Sequence, residues 1–506
     1  MRSAAQLAEL TSWHADWRGL RVAVLGLGVT GFSVADTLVE LGAEVLVLAS
    51  RSDPQRAELL QVIGARLITR DLSSGDTDDI AEFAPDLVVT SPGFPPGHPL
   101  IGWADQSGLP VWGDVELAWR LRDKASTPAP WLVVTGTNGK TTTVQLATAM
   151  LVADGQRAIA CGNVGVPVLD AIRDPVGWDV LVVELSSFQL HYLDSLSAYS
   201  SVCLNVAPDH LDWHGSAEAY EQAKAKVYHA TQVAAVFNRA DDATLAMVEN
   251  AEVVDGCRAI GFGLGIPGLS DFGVVEGILC DRAFLDDRHS TALELATVDE
   301  LSGTGLDSPH MVANVLAAAA LARSFGTSVS AIHSALLGFH LDHHRTETIG
   351  EGHGIRWIND SKATNPHAAI AALAAFDSVV WIVGGLLKGV SVDDLVSRQA
   401  ARLRAVVIIG AERDSLREAF ARHAPAIPVF EVDTLDTEEV MPSAVQLSAA
   451  VAMAGDVVLL APAAASMDQF SDYADRGRRF AVAVQEFLGD EADDDEQAPP
   501  PPAARS

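Results

Sequence analysis

Cysteine is scarce. The four present in 506 residues, Cys161, Cys203, Cys257 and Cys280, show no CxxC spacing, which removes the basis for a disulfide framework or a thiolate zinc site and fits a reducing, cytoplasmic setting. Positive charge is scarce as well: 34 Lys and Arg against 67 Asp and Glu give a formal net charge of −33. That balance leaves no broad electrostatic footprint for nucleic acid or an anionic membrane, so an anionic ligand must be met by a local group of donors. No apolar run approaches the ~20 residues that a membrane helix requires. The opening segment MRSAAQLAELTSWHADW is broken by Glu9, His14 and Asp16, so it does not read as a secretory signal. A fixed-period repeat is also missing.

What the chain does have is apolar content, 49% of its residues with 20% charged, enough to offset the entropy of ordering globular domains. Its length predicts two to four of them. Apolar strand-like runs alternate with helical stretches throughout, the pattern of α/β domains with parallel sheets. RVAVLGL, EVLVLAS and DLVVTSP mark a first domain, residues 1–125; the Pro-containing stretch 124–130 reads as a linker. WLVVTG opens a second domain, 131–343, which continues through VLVVELSSF, SVCLNVAP and VAAVFNRADD to an alanine-rich helix near residues 309–325. A third, 344–488, carries IRWINDSKATN, VVWIVGG, AVVIIGA and VVLLAPAAAS. The acid run and proline run of 489–506 cannot build a core, and a disordered tail is expected there.

Two glycine-rich turns follow strands. Gly26, Gly28 and Gly31 spell GxGxxG, which places bare backbone amides and a helix N-terminus where a diphosphate can lie. An acid about twenty residues on would hold a ribose. The second strand instead ends Ala49-Ser50-Arg51, which suits a nucleotide diphosphate or NADP better than NAD; a plain βα turn is the alternative.

The second turn, TGTNGKTTT at 135–143, opens a helix. Gly136 and Gly139 let the loop wrap closely, Lys140 brings a point charge for β and γ phosphates, and Thr141 offers a hydroxyl to Mg²⁺. Because Val134 stands where the full GxxxxGK[ST] spacing needs glycine, this is a shortened phosphate loop. Such loops need an acid at a neighbouring strand end, and Glu184 closes DVLVVE. NVAPDHLDWHG gathers Asp209, His210, Asp212 and His214, readable as a metal or ligand site, a metallohydrolase cluster, or a polar loop. On the helix beyond it, Lys224 and Lys226 default to a solvated face.

GTNGKTT, ELSSFQL, DHLDWHG, NDSKATN and SMDQF in this order make residues 20–488 resemble the Mur ligases. GLGVTG, ELSSFQL and PAAASMDQF resemble the branch that adds D-glutamate, and the DNPR signature of diamino-acid-adding members is missing. The resemblance implies a Rossmann-like N-terminal domain for a UDP-sugar, a central P-loop ATPase domain and a Rossmann-like C-terminal domain for the amino acid. The expected activity is an ATP-dependent carboxylate-amine ligase that joins D-glutamate to UDP-N-acetylmuramoyl-L-alanine through an acyl phosphate, in cytoplasmic peptidoglycan precursor synthesis, by a monomer without nucleic-acid or membrane partners.

By the same resemblance, Val29, Thr30, Ser50, Arg51 and Gly93 form the UDP pocket, with Asn163, Ser186 and Gln189 near the muramoyl group. Gly136, Thr137, Asn138, Gly139, Lys140, Thr141 and Thr142 hold the phosphates, and Asn314, Arg345 and Asp360 contact the nucleotide. Thr141 and Glu184 hold one Mg²⁺, while His210 and Lys224 hold a second, Lys224 as its CO₂-derived carbamate. Lys140, Glu184, His210 and Lys224 are thus the catalytic set. Lys362, Thr364, Lys388, Ser466, Met467 and Tyr473 belong to the substrate side, the last five around D-glutamate. Ala49 stands where the family often has Asp, and Met311 where Asn is common. Another amino-acid ligase of the same superfamily, an NADP-dependent oxidoreductase built on GLGVTG, and a catalytically dead binding protein are the competing readings.

Overall fold

The computed structural model describes residues 2–125, 127–341 and 343–497. It holds three sheets. The first takes β1 (Arg21–Leu25), β2 (Glu44–Ala49), β3 (Arg66–Thr69), β4 (Leu87–Thr90) and β5 (Val111–Gly113), all parallel in the order β3-β2-β1-β4-β5. The order reverses between β1 and β4, the switch point at which ligands of open α/β sheets bind.

The second sheet takes β6 (Trp131–Thr135), β7 (Ala158–Gly162), β8 (Val180–Glu184), β9 (Ser200–Cys203), β10 (Ala234–Asn238), β11 (Arg258–Phe262), β12 (Asp271–Val275), β13 (Ile278–Asp281) and β14 (Leu293–Thr297). Their order is β14-β13-β12-β11-β10-β9-β6-β8-β7, parallel from β7 to β12 with an antiparallel edge at β13 and β14. Strands buried on both faces explain runs such as VLVVE, in which every residue of β8 is buried.

These two sheets belong to one compact unit, formed by the chain up to Val206 together with Trp213–His340. One apolar cluster runs through both, and Trp119 meets Trp131 edge to face at 5.0 Å across the linker. Charged groups also join them: Arg173 pairs with Asp36 at 2.6 Å and Glu40 at 2.8 Å, and Ser33 Oγ donates to Asp170 at 2.5 Å.

The other unit is Ala207–Asp212 with the chain from Leu341 onward. Its sheet takes β15 (Glu347–Gly352), β16 (Ile355–Asn359), β17 (Val379–Gly384), β18 (Leu403–Ile409), β19 (Val429–Glu431) and β20 (Val457–Leu460), ordered β15-β16-β20-β17-β18-β19, with only β15 antiparallel. Separate apolar clusters cover its two faces. The last helix, Tyr473–Gln497, is anchored by buried Phe480 and Val484 and carries on past 488. Residues 489–497 of the expected disordered tail therefore have helical backbone, because extending an established helix adds one bond per residue fixed. Residues 498–506 of that expected tail lie outside the described residues.

Helices follow the two glycine-rich turns at Val29–Glu40 and Lys140–Ala153, the alanine-rich stretch forms Pro309–Ser324, and Asp114–Leu121, Pro366–Ala374 and Asp414–His423 are helical as well. No helix among the described residues is long and apolar enough to cross a membrane.

Candidate active site

The phosphate loop leaves β6 between β8 and β9, whose ends supply its neighbours. Gly136 and Gly139 hold φ of +150° and +83°, backbone that glycine adopts without steric cost. A Cβ on Gly139 would sit 2.3 Å from Asn314 Oδ1, so Asn314 packs directly on the turn. Thr137 N–H donates to Asn205 O at 2.9 Å and Asn138 N–H to Asn205 Oδ1 at 2.9 Å, while Asn205 Nδ2 donates back to Asn138 O at 3.1 Å. Thr137 Oγ1 and Tyr220 Oη hydrogen-bond at 2.9 Å. Asn205 and Tyr220 thus shape the loop, and neither carries a role in the sequence reading. The only signal for Asn205 was a polar residue just past the strand SVC.

Two ammonium groups converge on this loop. Lys140 Nζ donates to Gly136 O and Thr137 O, both at 2.9 Å, and Lys224 Nζ donates to Gly136 O at 2.8 Å. Lys224 is 1% exposed and its Nζ lies 4.7 Å from the Tyr220 ring centre, which corrects the solvated-face default for that position. Lys226 stays partly solvated, 38% of its side chain exposed, while its Nζ donates to His191 O at 2.8 Å and Leu193 O at 3.2 Å and pairs with Asp194 at 3.0 Å. Two cations beside glycine-freed amides at a helix N-terminus make an anion cradle. Thr141 is buried in the first turn of that helix, and the adjacent Thr142 Oγ1 is buried without a partner.

Glu184 ends β8 opposite Val134 of β6. It is 2% exposed; Oε1 accepts from Asn163 Nδ2 at 3.0 Å, and Oε2 is buried with no hydrogen-bond partner. An orphaned carboxylate oxygen beside a phosphate loop fits a divalent cation, which would supply the missing charge. Ser186 caps the next helix, Ser187–His191, in a capping box with Gln189. From that helix, Phe188 stacks on Trp213 at 4.5 Å, and Ser187 Oγ meets His214 Nε2 at 2.9 Å. Burial pushes the His214 imidazole down to about 4, with His191 and Lys224 adding to the effect. His214 is thereby held neutral, packed 5.3 Å from the Tyr220 ring.

In the first sheet, the UDP candidates follow β1 (Val29, Thr30), β2 (Ser50, Arg51) and β4 (Gly93), three adjacent carboxyl ends. Val29, Ser50, Arg51 and Gly93 are exposed. A Cβ on Gly31 would sit 2.1 Å from Gly26 O, and one on Gly26 would sit 2.8 Å from Ser91 Oγ, so the GxGxxG turn closes tightly over the switch point.

In the other unit, the loops after β16, β20 and β17, again neighbours, bring Asp360–Thr364, Ser466–Met467 and Lys388 to one edge. Lys388, at φ +55°, pairs with Asp209 at 2.5 Å, and Lys362 Nζ lies 3.8 Å from the Tyr473 ring centre. Ser466 is buried, whereas Met467 is 71% exposed. Burial pushes the Asp360 carboxyl up to about 6, opposed by the Thr346 N–H and the Arg345 charge. Arg476, absent from the sequence reading, is fully buried and donates to Ser361 Oγ, Ser361 O and Ala464 O at 2.9–3.1 Å, tying two of these loops together. Burial brings its guanidinium down to about 9, still charged at neutral pH.

The acidic and histidine residues of DHLDWHG do not form a cluster of their own. His214 turns to Ser187 in one unit, while Asp209 pairs with Lys388 and His210, at φ +53°, in the other. Among the described residues no group of three or more His, Cys, Asp and Glu is placed to hold a metal ion.

Comparison with known proteins finds three matches along the chain: "Mur ligase MurD-like, N-terminal domain" over residues 20–113, "Mur ligase middle domain" over 134–322 and "Mur ligase, glutamate ligase domain" over 344–464. A protein of Leifsonia xyli subsp. xyli named UDP-N-acetylmuramoylalanine--D-glutamate ligase is 63% identical over 502 residues, covering 97% of each chain. One of the same name from Streptomyces avermitilis is 53% identical, covering 93% of this chain and 99% of its own. Among solved structures, a pseudomurein peptide ligase type C from Methanothermus fervidus aligns with TM-score 0.56 at 16% identity, over 93% of this chain and 100% of its own. UDP-N-acetylmuramate-alanine ligase MurC from Thermotoga maritima aligns with TM-score 0.55 at 18% identity, over 92% and 100%. At these identities the structural matches speak to the fold.

Proposed function

The chain belongs to the Mur ligase family, and from that premise we propose that it is an ATP-dependent ligase that adds D-glutamate to UDP-N-acetylmuramoyl-L-alanine by way of an acyl phosphate. The observation that carries the reading is the 63% identity, over nearly the full length, to a relative whose name states that it ligates UDP-N-acetylmuramoylalanine and D-glutamate. The site chemistry supports it, because a carboxylate is a poor electrophile until phosphorylation turns one of its oxygens into a leaving group. We place the UDP-sugar domain at 1–125, the ATP domain at 131–343 and the amino-acid domain at 344–488, acting in the cytoplasm.

The phosphate loop, residues 136–142, holds the ATP phosphates through backbone N–H groups, and Lys140 stabilises charge on the γ-phosphoryl as it migrates. Val29, Thr30, Ser50, Arg51 and Gly93 bind the UDP group, with Asn163, Ser186 and Gln189 on the muramoyl side. Asn314, Arg345 and Asp360 contact the nucleotide; Lys362, Thr364, Lys388, Ser466, Met467 and Tyr473 orient D-glutamate, its carboxylates matched by ammonium groups. Thr141 and Glu184 would hold one Mg²⁺, and His210 with a carbamylated Lys224 a second; bound there, the ions neutralise charge on the phosphate oxygens. Carbamylation would turn the Lys224 ammonium, now a donor to Gly136 O, into an anion.

Purified protein given UDP-N-acetylmuramoyl-L-alanine, ATP, Mg²⁺ and a panel of amino acids tests the proposal. D-glutamate alone should release phosphate and yield a product heavier by one glutamyl residue. Turnover with L-lysine or diaminopimelate instead would favour another ligase of the family.

A further inference from the structure

Gln189 is named above as a substrate contact, yet its amide is also engaged by the protein. Oε1 accepts from Ser186 N–H at 3.1 Å and Ser186 Oγ at 3.2 Å, and Nε2 donates to Asp114 Oδ2 at 3.0 Å. Asp114 comes from the first domain, as the first residue of the helix that follows β5. Its carboxyl is buried and Oδ1 has no partner. Desolvation raises its pKa to about 6. A buried, half-satisfied acid is costly to keep, which directs attention to what it holds.

The same helix start grips the segment 186–195 at several points. Gly113 N–H donates to Tyr192 O at 3.3 Å, and a Cβ there would meet Tyr192 Cβ at 3.2 Å. Glu116, buried, accepts from Asp194 N–H at 2.9 Å and Ser195 N–H at 3.0 Å. Tyr192 Oη donates to Phe94 O at 3.2 Å, next to the Gly93 loop. These bonds fix the backbone of the segment; from this helix start, Asp114 reaches the Gln189 side chain, whose oxygen the two Ser186 donors hold. A glutamine amide can rotate to exchange its oxygen and NH₂. The ionised Asp114 carboxylate accepts only from the NH₂, so it favours the orientation that leaves the oxygen for the Ser186 N–H and Oγ.

Resting on the function proposed above, we propose that Asp114 is a positioning residue: it fixes the amide orientation of Gln189, and through it the Ser186 cap two residues beyond Glu184, so that the first domain sets the sugar-facing side of the ATP site. In the rotated state NH₂ would confront the Ser186 N–H and the capping box would open. Binding of the UDP-sugar would then be reduced by the fraction of molecules in the wrong orientation.

The test compares wild type with Asp114→Ala, Asp114→Asn, Gln189→Ala and the Asp114→Ala/Gln189→Ala double variant. Asp114→Ala should raise KM for UDP-N-acetylmuramoyl-L-alanine about tenfold or more while KM for ATP and for D-glutamate stays within about twofold. Asp114→Asn, whose amide offers both an acceptor and a donor and so pairs with either orientation of Gln189, should recover only part of the loss. In the Gln189→Ala background, Asp114→Ala should have little further effect. A uniform loss in all parameters, wild-type kinetics for Asp114→Ala, or independent effects in the double variant would overturn the proposal. Hydrogen exchange needs no substrate and separates this inference from the functional reading. Asp114→Ala should speed exchange at Ser186 and Gln189 N–H but not at Thr143 in the phosphate-loop helix, and unchanged exchange at residues 186–189 would overturn it even were the enzyme to use another substrate.

Discussion

Replacing Gly139 by Ala isolates the phosphate loop as a geometric object. The new Cβ carries two costs that the structure specifies. At φ +83° an L side chain is strained, by about 1–2 kcal/mol. It would also lie 2.3 Å from Asn314 Oδ1, so the Asn314 amide, almost wholly buried, must leave its place at a cost of about 1–3 kcal/mol for a displaced buried polar group. Together about 2–5 kcal/mol falls on the conformation that binds ATP, and at 1.4 kcal/mol per decade this predicts at least about a thirtyfold loss of ATP affinity. The assay is equilibrium binding of ATP, with the UDP-sugar affinity measured alongside and expected to hold. Gly155→Ala is the control: φ is +86° near the far end of the same helix, with nothing within 4 Å of a Cβ. It carries the strain alone and should leave ATP binding unchanged. If Gly139→Ala bound ATP within twofold of wild type, the reasoning that Asn314 and this turn jointly shape the nucleotide site would be refuted.

Glu184→Gln keeps an oxygen for Asn163 but removes the buried charge; turnover should fall by about 10²-fold or more without loss of thermal stability, and an active variant would remove Glu184 from the chemistry. Lys224→Ala should be severely impaired and partly restored by acetate or formate, which can stand in for a carbamate; full activity without them would show that Lys224 serves only as the ammonium donor to Gly136 O. Asp114 has its pKa raised from 3.8 to about 6, so between those values the folded state binds more protons than the unfolded. Stability from this group is complete below about pH 4 and lost as pH rises to about 6, a change of about 3 kcal/mol. The Tm advantage of Asp114→Asn over wild type should therefore grow across that window and level off above it, and a pH-independent difference would contradict the buried state of the carboxyl.

Much of this was legible in the sequence for local reasons. Glycines that end a strand, joined after β6 by a lysine, specify their own turn, so the loops after β1 and β6 follow from spacing alone, and Glu184 stands out because a phosphate loop needs an acid at a neighbouring strand end. Features made by distant segments were not legible. Asn205, Asp114 and Arg476 acquire roles only when strand order places them beside the phosphate loop, Gln189 and Ser361. The carbonyls of His191 and Leu193 that the partly solvated Lys226 meets are likewise not announced by anything nearby in sequence. Local charge density misleads in DHLDWHG, where His214 turns to Ser187 and Asp209 to Lys388, partners distant in the chain.

In the proposed route a phosphoryl group passes to the alanyl carboxylate before the amide forms. Substrate carrying ¹⁸O in both oxygens of that carboxylate tests it most directly, with the released phosphate and the peptide product analysed by mass spectrometry. One labelled oxygen in each inorganic phosphate and one retained in the new amide is the predicted result. Phosphate free of label, with amide still formed, would contradict it.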